Sequence, residues 1–262
     1  MLTLEKPIGE HLRDWRQRRR MSQLDLALDA EISARHLSFL ETGRSQPSRE
    51  MVLNLAEHLE VPLRDRNVLL VAAGFAPVFP ERALEDPAMQ SARAAIDMVL
   101  KAQEPWPALA IDRHWNMVVA NRTVALLLEG VAPLLLESPV NVLRLSLHPE
   151  GLAPRTENLG EWRAHLFARL NRQIDLAPDA GLLALRDELR SYPAPVHRPS
   201  RTTDYLAAVV PLRMQAHGVV LSFLSTTMVF GTPVDITLSE LAIESFFPAD
   251  AATAEAMRRI AS

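Results

Sequence analysis

Residues 21–47 read MSQLDLALDAEISARHLSFLETGRSQP. Ser22 stands where a helix N-cap belongs, and Asp25 follows three residues later, a near relative of the capping box. Leu24, Ala27 and Leu28 then recur on one helical face. Ala30-Glu31-Ile32 makes a tight turn, and Ser33 caps a second helix whose inner side carries Leu37 and Leu40. Gly43 ends that helix. After a basic loop, Pro47-Ser48 opens another.

The same periodicity extends in both directions. Ile8, Leu12 and Trp15 fall at i, i+4 and i+7 in an opening helix over 8–20. Val52, Leu55, Ala56 and Leu59 share the inner face of a fourth helix that Val61-Pro62 closes. A fifth helix over 64–73 stops at Gly74. The expectation is a bundle of five helices over residues 1–74.

Of the 262 residues, 48% are hydrophobic and none is cysteine, so disulfides and thiolate metal sites are excluded. A reducing cytoplasm fits that composition. Residues 1–15, MLTLEKPIGEHLRDW, lack the long apolar core of a signal peptide. Apolar runs break well before the roughly 18 residues of a membrane span, so no membrane partner is expected. The net charge is −4 and the isoelectric point about 6.1. Residues 1–66 carry eleven basic and eleven acidic side chains. Bulk charge therefore does not argue for a nucleic-acid partner. The basic residues are instead local: Arg13, Arg16, Arg18, Arg19 and Arg20, then Arg35, Arg44 and Arg49. A local positive face is enough to meet phosphates.

Two short helices around a tight turn are the layout of a helix-turn-helix DNA reader. Such a helix reads base edges with the residues at its exposed N-terminal end. Here those are Ser33, Ala34, Arg35, His36, Ser38 and Phe39. Arg35 suits a bidentate pair with guanine, worth about 1–3 kcal/mol of discrimination. Gln23, beside the free N–H groups of its own helix, suits a phosphate, as do Arg44 and Ser48. Spacing alone also allows these to be solvated polar residues on a small helical bundle.

SQxxLA at 22–27, Ile32-Ser33, LExGRxxPS at 40–48 and LAxxLxVP at 55–62 resemble the lambda-repressor-like helix-turn-helix family of the xenobiotic-response-element type. The resemblance covers about residues 8–74. It implies a reader helix near 34–42 and a homodimer on a two-fold operator in double-stranded DNA. Glu31 departs from the glycine that the family commonly places in the turn. Glu41 is read as structural, a carboxylate tying the reader helix to neighbouring backbone or arginine.

Prolines and charges dominate residues 75–87, and 87–103 regains helical spacing. We read 75–103 as a linker with a connecting helix and 104–262 as a second domain. Residues 108–111 and 115–120 suggest a hairpin around Asp112-Arg113-His114, with a helix at 121–128. Amphipathic helices are expected at 162–174 and 181–189. A second hairpin is expected from 205–215 and 219–230 around His217-Gly218. An apolar segment ends at Phe246-Phe247-Pro248, and a short helix follows.

PWPALAIDRHWNMVVAN at 105–121, NVLRLSLHPEGL at 141–152 with Trp162, and FLSTTMVFGTPVDITLSELAIESFFPADAATAEAM at 223–257 resemble the ligand-binding domain of MmyB-like regulators, and PAS domains generally. That resemblance implies an α+β, PAS-like fold, with helices over one face of a sheet and an apolar pocket for a small effector, fatty-acid-like ligands included. The expected architecture is thus two domains, an all-α five-helix lambda-repressor-like bundle followed by an α+β PAS-like domain. Candidate pocket residues are Trp106, Trp115, Met117, Leu143, Trp162, Leu166, Met214, Leu221, Phe223, Met228 and Phe230. Met and aromatic side chains also fill irregular core, and most of these residues are read as ordinary core. Arg144, Arg213 and His165 are candidates to anchor an anionic head group, or else surface residues. Asn121 is expected to cap the following helix, and Asp235 to sit in a structured turn.

The sequence shows no G-x-S-x-G, no phosphate loop and no H-E-x-x-H. His148-Pro149-Glu150 lacks companions for a metal set, and His165, His197 and His217 are scattered. No cofactor, metal or catalytic residue is expected. The expectation is a cytoplasmic transcriptional regulator with a ligand-sensing second domain. The alternatives are a second domain that only dimerises or holds a protein partner, and an enzyme acting within the cavity.

Overall fold

The computed structural model describes residues 6–193 and 209–262. The start of the second expected hairpin, 205–208, and His197 lie outside the described residues. The chain divides into two compact units. The first gathers residues 6–82 with 175–178 and 232–239, and the second gathers the remaining described residues.

In the first unit lie α1 (Ile8–Arg18), α2 (Gln23–Asp29), α3 (Ala34–Glu41), α4 (Arg49–His58) and α5 (Leu63–Ala72). Three serines start three of these helices. Ser22 Oγ accepts the Asp25 N–H at 3.1 Å, and Asp25 Oδ2 accepts the Ser22 N–H at 2.8 Å, closing the capping box. Ser33 Oγ accepts from His36 N–H at 3.1 Å, and Ser48 Oγ from Met51 N–H at 3.2 Å. Each such cap stabilises its helix by about 1 kcal/mol. Glu31 takes φ 56°, the left-handed value that glycine adopts more cheaply.

Leu12, Trp15, Leu26, Leu37, Leu40 and Leu55 form the centre of the bundle. The inner face of α2 differs from the expected one. Leu26 and Ala27 are buried, whereas Leu24 and Leu28 are 58% and 67% exposed. A seven-residue helix buries only a narrow stripe, and here the stripe runs through Leu26, Ala27 and Ala30. Helices α1 and α3 cross closely at Gly9, where a Cβ would lie 2.3 Å from the Leu40 carbonyl oxygen.

The second unit is built on β1 (Ala108–Ile111), β2 (Met117–Ala120), β3 (Leu212–Ala216), β4 (Val219–Val229) and β5 (Ala242–Pro248). All pairs are antiparallel, in the order β2-β1-β5-β4-β3. The helices are α6 (Gln90–Ala102), α7 (Arg122–Leu127), α8 (Val142–Leu147), α9 (Leu159–Leu176, its last two residues grouping with the first unit), α10 (Ala180–Ser191) and α12 (Ala251–Ile260); the short α11 (Ile236–Ser239) belongs to the first unit. His217 and Gly218 both have positive φ, as a two-residue type I′ hairpin turn requires, and set the pairing Ala216↔Val219.

Strand β3 alternates buried and exposed residues, the signature of one covered face. All four residues of β1 are buried. Successive side chains point to opposite faces, so β1 is covered on both sides, with α6 and α7 packed against it. The expectation of helices over one face is corrected accordingly. Asn121 occupies the position before α7 without capping it. Its Oδ1 accepts from Thr123 Oγ and the Ala108 N–H, and its Nδ2 donates to the Leu100 and Trp106 carbonyls. It is a buried bridge between chain segments. Asp235 does sit in a turn, accepting the Thr237 N–H at 2.9 Å.

Gly9→Ala is expected to destabilise the first unit by about 1–3 kcal/mol, the cost of overpacking. Urea unfolding would show a lower midpoint with an unchanged slope. An unchanged midpoint would mean that α1 can withdraw from Leu40 freely.

Candidate DNA interface and ligand cavity

Helix α3, the expected reader, is held from behind by one carboxylate. Glu41, at the end of α3, is fully buried in its side chain. Arg16 on α1 grips it with both prongs, Nε to Oε1 at 2.6 Å and Nη2 to Oε2 at 2.8 Å. Gln23 Nε2 on α2 donates to Oε2 at 2.8 Å, and Arg13 Nε lies 3.5 Å away. Burial pushes the Glu41 carboxyl up. The hydrogen bonds from Arg16, Gln23 and Arg13 outweigh it and hold the group below the usual carboxylate range. Arg16 also donates to the Met21 carbonyl, closing the loop that leads into α2.

With its inner side fixed, α3 turns an outer face to solvent. Arg35 is exposed, and its guanidinium lies 5.3 Å from the centre of the Phe39 ring. Exposed Arg44 approaches the same ring at 5.9 Å. Two cations thus share one aromatic platform, an arrangement that favours a planar fork directed outward. Ala34, His36 and Ser38 are half-buried along the helix, and Ala34 also packs on the core. Ser33 and Ser48 are exposed but their hydroxyls are used as caps. Gln23 is half-buried with its amide committed to Glu41. The remaining arginines of the opening cluster are partly structural, since Arg19 donates to the Leu59 and Glu60 carbonyls.

In the second unit an apolar cavity of about 90 Å³ lies between the sheet and the helices. Six expected residues line it: Trp115, Met117, Leu143, Trp162, Leu166 and Met214. Leu109, Leu145 and Phe246 add to its apolar wall. Each tryptophan N–H is satisfied: Trp115 donates to Gln173 Oε1 at 2.8 Å, and Trp162 to Ser146 Oγ at 2.9 Å.

Other expected pocket residues lie elsewhere. Leu221 and Phe223 are fully buried core outside the cavity lining. Met228 and Phe230 line a separate groove with Ala95, Ile96, Val99 and Ile243. Trp106 packs on the core beneath Arg258, whose guanidinium is 5.5 Å from its ring.

None of the expected anion anchors reaches the cavity wall. Arg144 is held by Glu188 through two bonds of 2.7 Å. Hydrogen bonding to Arg144 lowers the Glu188 carboxyl, and burial together with a bond to that carboxylate raises the Tyr192 hydroxyl to about 12. Arg213 pairs with Glu157 at 3.0 Å. His165 stacks on Trp162 at 5.3 Å. Burial, with the positive charge of Arg169 nearby, lowers its imidazole pKa.

The charged groups that do line the cavity are Arg169 and Glu244, which sequence reasoning missed. The usable signal was Glu244 itself, a carboxylate in the middle of the apolar strand AIESFFP.

A short helix locked from behind and basic in front, followed by an α+β unit with an apolar cavity, defines a helix-turn-helix DNA-binding regulator with a ligand-binding domain. The chain belongs to the family described as the MmyB-like transcription regulator ligand binding domain, matched over residues 92–260. Residues 7–69 match the helix-turn-helix domain family. Among solved structures it is similar to the clp gene regulator ClgR from Corynebacterium glutamicum, at 28% identity. That match covers 39% of this chain and 96% of the other, with a TM-score of 0.24. No curated protein matches the chain.

Because the Glu41 carboxyl is lowered in the folded state, its contribution to stability is complete above the unfolded value, about 4.3, and is lost as pH falls through the folded one. Denaturant unfolding from pH 7 to pH 3 should show this loss in the wild type and a smaller one in Glu41→Gln. Glu41→Ala should cost about 3–5 kcal/mol at pH 7, because Arg16 is left buried without its partner. Parallel pH profiles for wild type and Glu41→Gln would contradict the assignment.

Proposed function

We propose that this chain is a cytoplasmic one-component transcriptional regulator that binds a two-fold operator as a homodimer and responds to a small apolar or amphipathic effector. Arg35, on the first turn of α3 and exposed above the Phe39 ring, carries the proposal. Its five donors suit the two acceptors of guanine in the major groove. Arg44 and the N-termini of α2 and α4 suit phosphates on either side. Ser33, Ala34, His36, Ser38 and Phe39 complete the proposed DNA surface, with Gln23 and Ser48 toward the backbone.

The effector would occupy the cavity among Trp115, Met117, Leu143, Trp162, Leu166 and Met214. A ligand shifts operator affinity only by its unequal affinity for two arrangements of the protein, typically about 1–3 kcal/mol. Residues 75–103 join the reader to the sensor in sequence and would carry that shift. One observation favours a second reading, in which the second domain serves dimerisation or a protein partner. The cavity, at about 90 Å³, is below the roughly 300–1,000 Å³ of ordinary ligand pockets. An effector larger than a few heavy atoms would have to move side chains apart.

Selection from random duplex DNA should return an inverted repeat for the wild type. Arg35→Ala should lose about 1–3 kcal/mol of preference at one base pair in each half-site. The same motif at the same affinity would remove Arg35 from base reading. Native mass spectrometry of the purified protein should show a bound small molecule, or uptake of an added apolar one. A cavity that stays empty throughout would favour the dimerisation reading.

A further inference from the structure

We infer that the cavity selects an electrically neutral ligand, because Glu244 already occupies the arginine that an anionic head group would need. The inference rests on the proposal that this cavity holds the effector, and it narrows the effector's chemistry.

Arg169 on α9 is the one cation in the cavity wall among the described residues. Three of its five N–H donors are taken, including the two that face the carboxylate. Nη2 donates to Glu244 Oε1 at 2.5 Å and to Thr227 Oγ1 at 3.0 Å, and Nη1 donates to Glu244 Oε2 at 3.1 Å. One face of the guanidinium is taken as well, with its carbon 4.8 Å from the Trp115 ring centre. The Thr227 hydroxyl turns its own proton to Glu244 Oε1 at 2.9 Å, so both carboxylate oxygens are satisfied. The Glu244 side chain is only 5% exposed.

A carboxylate or phosphate entering this wall meets a charge pair that is already neutral. To take the two-pronged contact with Arg169 it must displace Glu244, leaving a buried carboxylate with one hydroxyl donor, and to use the remaining N–H groups it must sit beside a carboxylate that repels it. Removing one partner from a buried pair is strongly destabilising. To stay in the apolar part it must give up its hydration without a counter-ion, which is costlier still. A neutral molecule pays neither penalty. The wall also offers it one polar contact at Ser146. That oxygen accepts the Trp162 indole N–H at 2.9 Å. Among the described residues no acceptor takes the Ser146 proton, which is therefore free for a ligand oxygen. The fitting class is an apolar chain or ring carrying a hydroxyl, carbonyl or ester.

The test compares 1-octanol, methyl octanoate, octanoate and octylammonium on the full-length wild type at pH 7. Binding is read by isothermal titration and by quenching of tryptophan emission. Octanol and methyl octanoate should bind at least tenfold more tightly than either ion. Glu244→Gln frees the charge of Arg169 and should raise octanoate affinity tenfold or more with little effect on octanol. The double variant Arg169→Gln with Glu244→Gln carries neither charge and should again prefer octanol, so the result does not depend on one variant folding. Octanoate binding the wild type as well as octanol does would overturn the inference while leaving ligand sensing intact. No binding of any of the four would overturn the proposed sensing role of the cavity itself.

Discussion

A single buried carboxylate organises the helix-turn-helix unit of this protein. Glu41 collects a two-pronged arginine from α1 and an amide from α2. A buried charge is tolerable only when its acceptor sites are filled, so the three helices are fixed to one another by the need to fill them. That need sets the rotation of α3 about its own axis. Leu37 and Leu40 then face the core, and Arg35 and Phe39 face outward. Gly9 allows α1 to approach closely enough for Arg16 to reach. The serine caps make the helices, and the carboxylate decides which way they point.

The second unit answers a similar problem in another way. Its strand β1 is covered on both faces, and its apolar cavity is bounded by large side chains whose polar atoms are satisfied. The two tryptophans show this most plainly. Each contributes a ring to the wall and sends its N–H to a partner, Gln173 or Ser146. Arg169 and Glu244 neutralise one another in the same wall. Such a lining would favour neutral, apolar matter over bare charge.

Much of the architecture was legible in local chemistry. Ser22 with Asp25, Ser33 and Ser48 announced three helix starts, and His217-Gly218 announced a hairpin turn. These signals depend on neighbours within four residues. What failed depended on distant ones. The exposed face of α2 was misassigned because a seven-residue helix with Leu24, Leu26, Ala27 and Leu28 offers two apolar stripes, and only packing selects between them. Asn121 looks like a cap until Leu100, Trp106 and Ala108 from other segments, with its neighbour Thr123, claim it. Arg144, Arg213 and Arg169 are indistinguishable by residue type. Their roles were settled by Glu188, Glu157 and Glu244, which lie 44, 56 and 75 residues away. Leu221 and Phe223 were recognisable as interior, but sequence alone did not separate cavity lining from solid core.

The account depends most on α3 presenting its outer side to duplex DNA. The direct measurement is backbone amide chemical-shift mapping of the full-length protein during titration with its selected operator duplex. The account predicts that the largest changes fall on residues 33–39 and 44–48, with the buried Leu37 and Leu40 amides moving less than that of Arg35. Changes confined to other surfaces, with residues 33–39 unmoved at saturation, would contradict it.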